Sequence, residues 1–129
     1  MDLLPTRNSQ LALRRADFRS VPEMLDYAAQ GETGVTFYTA RGETLARLPW
    51  REVRERAHRV ARKLIGAGFA RGDRLLITAD TWPGFFDTFF GCQYAGLIPV
   101  PVSIPVGIGG KEAYLDQLRR QFEIGRAHV

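Results

Sequence analysis

Two histidines, a single cysteine and a glycine-rich loop are the residues of this 129-residue chain whose types could do chemistry. Cys92 would need a base to serve as a nucleophile, because the thiolate attacks and the thiol does not. His58 is the candidate base, but it falls on the polar side of a different predicted helix. Cys92 lies among apolar neighbours and reads as a small buried hydrophobe. The loop Val106-Gly107-Ile108-Gly109-Gly110-Lys111 follows a predicted strand and opens a helix, the setting in which backbone N–H groups cradle phosphates. A P-loop would need glycine at Pro105 and Ser or Thr at Glu112, and a dinucleotide fingerprint starting at Gly107 would need its third glycine at Glu112. The loop therefore reads as a flexible connection, with generic anion binding at a helix start as the alternative.

Three further groups have a chemical and a plain reading. Asp80 and Thr81 fall at the C-terminal end of a predicted parallel strand, the edge where open α/β sheets bind ligands. A helix N-cap explains them as well. Phe85, Phe86, Phe89, Phe90 and Tyr94 could line an acyl tunnel, yet aromatics at helical spacing more often form core. The arginines of 50–65 read as a solvated face with Glu52 and Glu55 as local partners. No His, Asp and Glu cluster has metal-ligand spacing. Residue chemistry alone thus assigns no catalytic, cofactor-binding or metal site.

The elements that would position these groups are clearer. Residues 1–20 read as an irregular leader. The segment 21–29 is a short helix with Ser20 as N-cap, Pro22 in its first turn and Glu23 completing a capping box. Strands at 35–39 and 44–48 flank a turn in which Gly42 supplies positive φ. From Pro49 or Trp50 to about Ile65, Trp50, Val53, Ala57, Val60, Ala61 and Leu64 recur along one helical stripe, and Gly66 and Gly68 stop it. A strand at 74–79, an all-round apolar helix at 83–95 and a strand at 97–102 make a βαβ unit. Pro99 and Pro101 mark the second strand as an edge or as irregular, and a last helix starts near Lys111. The order implies an open α/β sheet. So apolar a helix on only two strands implies that the sheet is incomplete.

The net charge of +4 is spread without a like-charge block, and no nucleic-acid module appears. One cysteine excludes an internal disulfide and fits a reducing cytoplasm. Met1-Asp2-Leu3-Leu4-Pro5 does not look like a secretory signal, and no apolar run has the length of a membrane span. The tail Glu123-Ile124-Gly125-Arg126-Ala127-His128-Val129 resembles the conceptual translation of a DNA-sequencing adapter, GAG ATC GGA AGA GCA CAC GTC. On that reading 123–129 is not native, His128 is no catalytic candidate, and the native chain continues past Phe122.

Four stretches, in order, resemble the start of the adenylate-forming (AMP-forming) ligases. Val21-Pro22-Glu23-Met24-Leu25 resembles their opening helix. Leu48-Pro49-Trp50-Arg51-Glu52-Val53 stands where they run from strand to helix, with Trp50 in place of the usual Tyr. Gly66-Ala67-Gly68-Phe69 with Gly72-Asp73-Arg74-Leu75 resembles their Gly-Leu and Gly-Asp-Arg-Val, and Tyr94-Ala95-Gly96-Leu97-Ile98-Pro99-Val100-Pro101 their Ala-Gly-x-x-x-x-Pro. The Pro-Val-Pro-Val string and the helix after the glycine loop are more similar to the fatty-acyl-AMP ligase branch than to typical acyl-CoA synthetases. The resemblance implies that 21–122 is the incomplete N-terminal portion of an AMP-binding large domain, α/β in class, with a small hairpin and a βαβ unit of a mostly parallel sheet. It implies a parent enzyme that uses ATP and Mg2+ to convert a carboxylic acid, a fatty acid in this branch, to an acyl-adenylate. The acyl group then passes to an acyl-carrier protein or coenzyme A thiol. The family's phosphate loop, nucleotide contacts and catalytic lysine lie beyond Phe122, so the piece alone is expected to be inactive and to bind no nucleotide tightly. The competing expectation is a complete small α/β binding or interaction domain without catalysis.

Overall fold

The computed structural model describes residues 11–103 and 110–127. The first ten residues of the leader, the loop from 104 to 109 and the last two residues of the tail lie outside them. The elements are α1 (Val21–Ala28), β1 (Gly34–Tyr38), β2 (Thr44–Pro49), α2 (Trp50–Gly66), β3 (Arg74–Thr78), α3 (Pro83–Tyr94), β4 (Ile98–Val102) and α4 (Gly110–Ala127). β1 and β2 form an antiparallel pair, β3 and β4 a parallel one. The class is mixed α/β, with the expected hairpin and βαβ unit.

Local chemistry accounts for most boundaries. Ser20 is extended and its Oγ accepts from the Glu23 N–H at 3.2 Å. The Glu23 carboxylate reaches back to the N–H of Arg19, one residue before the cap, so the capping box closes only on the serine side. In the hairpin, Gly42 has φ 83° and donates to the Thr39 carbonyl, a conformation that a side chain would disfavour. α2 turns Val53, Ala57 and Ala61 inward as its stripe required.

Where α2 crosses α3, Gly91 is the enabling residue: a Cβ there would stand 2.7 Å from Val60. α3 then divides its aromatics between two cores. Phe86, Phe90 and Tyr94 pack on Leu25, Phe37, Leu48 and Val53. Phe85 and Phe89 pack with Ile77, Cys92 and Leu97. Only Gly91 and Cys92 of α3 are buried, and the aromatics are half-buried. The expectation of a heavily buried helix is corrected in degree, because neither the hairpin nor the two-stranded sheet is wide enough to cover it.

The prolines of β4 cost less than expected. Arg74 stands opposite Ile98 and the register runs evenly to Thr78 opposite Val102. The Ile98 N–H donates to the Asp73 carbonyl at 2.8 Å. Backbone groups alternate sides along a strand, so Ile98, Val100 and Val102 bond toward β3 while Pro99 and Pro101 point outward. Neither proline removes a bond from the β3–β4 ladder. The strand is a regular edge.

Candidate functional site

The densest polar cluster joins α1, α2 and α3. Asp26 Oδ1 accepts from Arg54 Nε and from Tyr94 Oη, each at 2.6 Å, and Tyr94 also reaches the Pro22 carbonyl at 3.3 Å. His58 stands edge-on to the Tyr94 ring, centroids 4.4 Å apart. Burial pushes the Asp26 carboxyl up, but the hydrogen bonds from Tyr94 and Arg54 outweigh it and hold it below the usual carboxylate range. Burial together with Asp26 raises the Tyr94 phenol well above its ordinary value. Burial, with Arg54 and Arg62 adding to it and Asp26 opposing, lowers His58. A tyrosine held protonated beside a carboxylate held charged is a fixed donor and acceptor, suited to joining three helices rather than to exchanging protons. Nearby, Arg56 Nε and Nη2 grip the two Asp87 oxygens at 2.8 Å each, a bidentate clamp from α2 to α3.

The structure keeps the sequence-derived candidates apart. Cys92 is fully buried among apolar residues, and burial raises its thiol, so it stands as the inert hydrophobe expected. His58 pairs with Tyr94 rather than with Cys92. The aromatic set of α3 is core: Phe85 stacks on Phe89 at 5.7 Å and Phe86 meets Phe37 edge-on at 4.9 Å. Asp80 and Thr81 do not cap α3. Asp80 Oδ1 accepts from the adjacent Thr81 N–H, and the cap position falls to extended Trp82, without a side-chain bond. Pro83, with no N–H, follows it. The arginines of α2 are also corrected in part, since Arg54 and Arg56 pair with Asp26 and Asp87 on other helices rather than with Glu52 or Glu55. The glycine loop lies outside the described residues up to Gly109.

Sequence reasoning missed Asp26, Arg54 and Tyr94 as a unit, for their partners are 28 and 68 positions apart and no local spacing signals them. It also missed Trp82, which is 51% exposed at the C-terminal end of the β3–β4 pair. Its ring is folded over Gly84, where a Cβ would come within 2.4 Å of it. That edge otherwise offers Asp80 and Thr81. An open groove of about 510 Å³ lies at the opposite end, where Ser20, Pro22, Arg71, Gln93 and Gly96 meet near the start of β4. Among the described residues no group of three or more His, Cys, Asp or Glu could hold a metal.

The family profile for AMP-binding enzymes matches residues 25–114. A Caulobacter vibrioides (strain NA1000 / CB15N) protein named as a candidate acyl-CoA synthetase is 39% identical over 127 residues, which are 98% of this chain and 22% of that protein. A solved structure from work on fatty acyl-adenylate ligases of E. coli and L. pneumophila is 36% identical with a TM-score of 0.78, over 84% of this chain and 20% of its own. The adenylation domain of a keto acid-selecting NRPS module, bound to keto acyl adenylate, shares the fold at 20% identity and a TM-score of 0.72, over 82% of this chain and 19% of that one. The chain therefore spans about a fifth of the length of the relatives it matches. The motif stretches fall where such a fold needs them, with β2 ending at Pro49, α2 starting at Trp50, and Gly68 and Gly72 turning the chain at φ 94° and 90° into β3. By profile, by identity and by fold, the chain belongs to the AMP-binding enzymes, the adenylate-forming ligases.

Proposed function

We propose that residues 21–122 are the N-terminal portion of a ligase that activates a fatty acid as its acyl-adenylate, for transfer to an acyl-carrier protein or coenzyme A thiol in the cytoplasm. The observation that carries this reading is the 36% identity, with a TM-score of 0.78, to a structure from work on fatty acyl-adenylate ligases. In the whole enzyme a carboxylate oxygen attacks the α-phosphorus of ATP and pyrophosphate leaves, chemistry that depends on charge neutralisation and positioning. The described residues contribute neither. Their part is structural: Asp26, Arg54 and Tyr94 join α1, α2 and α3, and α3 packs on the β3–β4 pair.

Residues 123–129 stand outside the ligase portion on this reading. The nucleotide sequence across codons 122–129 tests that point: codons other than GAG ATC GGA AGA GCA CAC GTC would overturn it. Function is tested by pyrophosphate release with fatty acids of graded length. The 129-residue chain is expected to release none above background. A polypeptide extended to the length of its relatives is expected to release it only when a fatty acid is present. Fatty-acid-dependent release by the short chain, or its absence from the long one, would overturn the proposal. Adding coenzyme A or a carrier protein to the long form then decides the acceptor.

A further inference from the structure

The fold sorts the charges of α2 into two groups. Arg54 and Arg56 are neutralised by Asp26 and Asp87 of neighbouring helices. Between Glu55 and Asp73 the chain has no acidic residue, and within that stretch Arg59, Arg62, Lys63 and Arg71 are all exposed. Among the described residues none of these four is in an ion pair. Arg59, Arg62 and Lys63 stand three and four positions apart, on one face of the helix. The helix dipole accounts for Lys63 in the last turn but not for Arg59 or Arg71. Apolar side chains lie at the same end of α2. Every residue from Ile65 to Asp73 is exposed, Ile65 by 58% and Phe69 by 38%. The Phe69 N–H donates to the Leu64 carbonyl at 3.3 Å, which holds the turn against the end of the helix.

We propose that the C-terminal end of α2 and the turn that follows it form a peripheral docking surface for an anionic lipid bilayer. Headgroup phosphates meet the four cations, and the acyl boundary beneath them takes Ile65 and Phe69. Charge complementarity selects an anionic partner, and the two apolar side chains select among anionic partners. A nucleic acid or an acidic protein would satisfy the arginines and the lysine. Neither offers a fluid apolar layer to side chains carried on an exposed turn. The contact stays at the surface, since no described helix is long and apolar enough to cross a membrane. The inference goes beyond the ligase reading and does not rest on it.

Co-sedimentation of the 129-residue chain with vesicles tests it, using an equal mixture of phosphatidylglycerol and phosphatidylcholine against phosphatidylcholine alone. The chain is expected on the anionic vesicles and not on the zwitterionic ones. Each cation removed should weaken binding about fivefold, so Arg59→Gln with Arg62→Gln should weaken it roughly thirtyfold. Ile65→Ser should weaken it severalfold while leaving its salt dependence unchanged. Far-UV circular dichroism checks that each variant keeps its helices. No binding, equal binding to both vesicles, or a double variant that binds like the original chain would overturn the proposal. Binding indifferent to Ile65→Ser and matched on polyglutamate or DNA would assign the surface to an acidic macromolecule and overturn it as well. A second measurement needs no variant: raising the ionic strength severalfold should release the chain from the anionic vesicles, and retention would also overturn the proposal.

Discussion

The two cores on either side of α3 differ in how completely they are closed. On the hairpin side, Leu25, Phe37, Leu48 and Val53 are between 0% and 8% exposed, under a lid made by α1, β1, β2 and α2. On the sheet side, Ile77, Cys92 and Leu97 are as well buried toward α3. The other face of β3–β4 carries Leu76, Ile98, Val100 and Val102, and Ile98 is 46% exposed. The hairpin side needs only contacts within about 70 residues of sequence and finishes itself. A parallel pair is normally covered on both faces, and here α3 covers one of them. One helix, apolar nearly all round, serves both.

The sharpest way to break that contrast is to cut one residue from each side. Phe37→Ala removes a ring that is 4% exposed and meets Phe86 edge-on, and should cost about 3–5 kcal/mol. Val100→Ala, half-buried on the face where Ile98 is 46% exposed, should cost about 1 kcal/mol, since less packing is lost there than in a closed core. Urea unfolding of both variants reads the difference. Equal losses would mean that the sheet face is covered after all.

A smaller loss is expected at the node between the helices. Tyr94→Phe keeps the ring against His58 and removes the hydroxyl that donates to Asp26. Asp26 retains Arg54 and is 45% exposed, so water can replace part of what is lost and the cost should be about 1 kcal/mol. The loss should appear as faster amide exchange in α1 than in β3. Uniform acceleration would show that the node does not specifically hold α1.

How much of this was legible depended on the range of the interaction. Gly42 in its turn, the stripe of α2 and the βαβ alternation are local patterns, and the elements appear within a few residues of where those patterns place them. The cap of α3 was misplaced because two polar residues, Asp80 and Thr81, precede it, and the chain spends Asp80 on its own neighbour instead. The Asp26 node was illegible for a different reason. Arg54 has no acidic residue three or four positions away on its own helix, which leaves its partner to another element, but nothing in the order of residues says that this partner is a carboxylate 28 positions earlier. Pro99 and Pro101 lie between. Their spacing of two says that both face the same way, but only the register shows that they face away from β3.

The smallest effect concerns pH and tests whether His58 belongs to the closed side. Burial against Tyr94, with Arg54 and Arg62 on its own helix, lowers its folded pKa below the ordinary value of about 6.5. Below neutrality the unfolded chain then binds more protons at this position than the folded one does. The stability it contributes is present in full above about pH 6.5 and is lost as pH falls through the lower folded pKa. Asp26 acts in the same direction but further down, below the ordinary carboxylate range, because its folded pKa is also depressed. The two windows separate. Thermal melts at pH 7.5 and 5.5 should therefore show a modest drop in the wild-type chain that is reduced in His58→Gln, while both chains weaken alike below about pH 4 as carboxylates protonate. A wild-type melt flat between 7.5 and 5.5 would place His58 in solvent, and would remove it from the closed core that Tyr94 otherwise assigns it to.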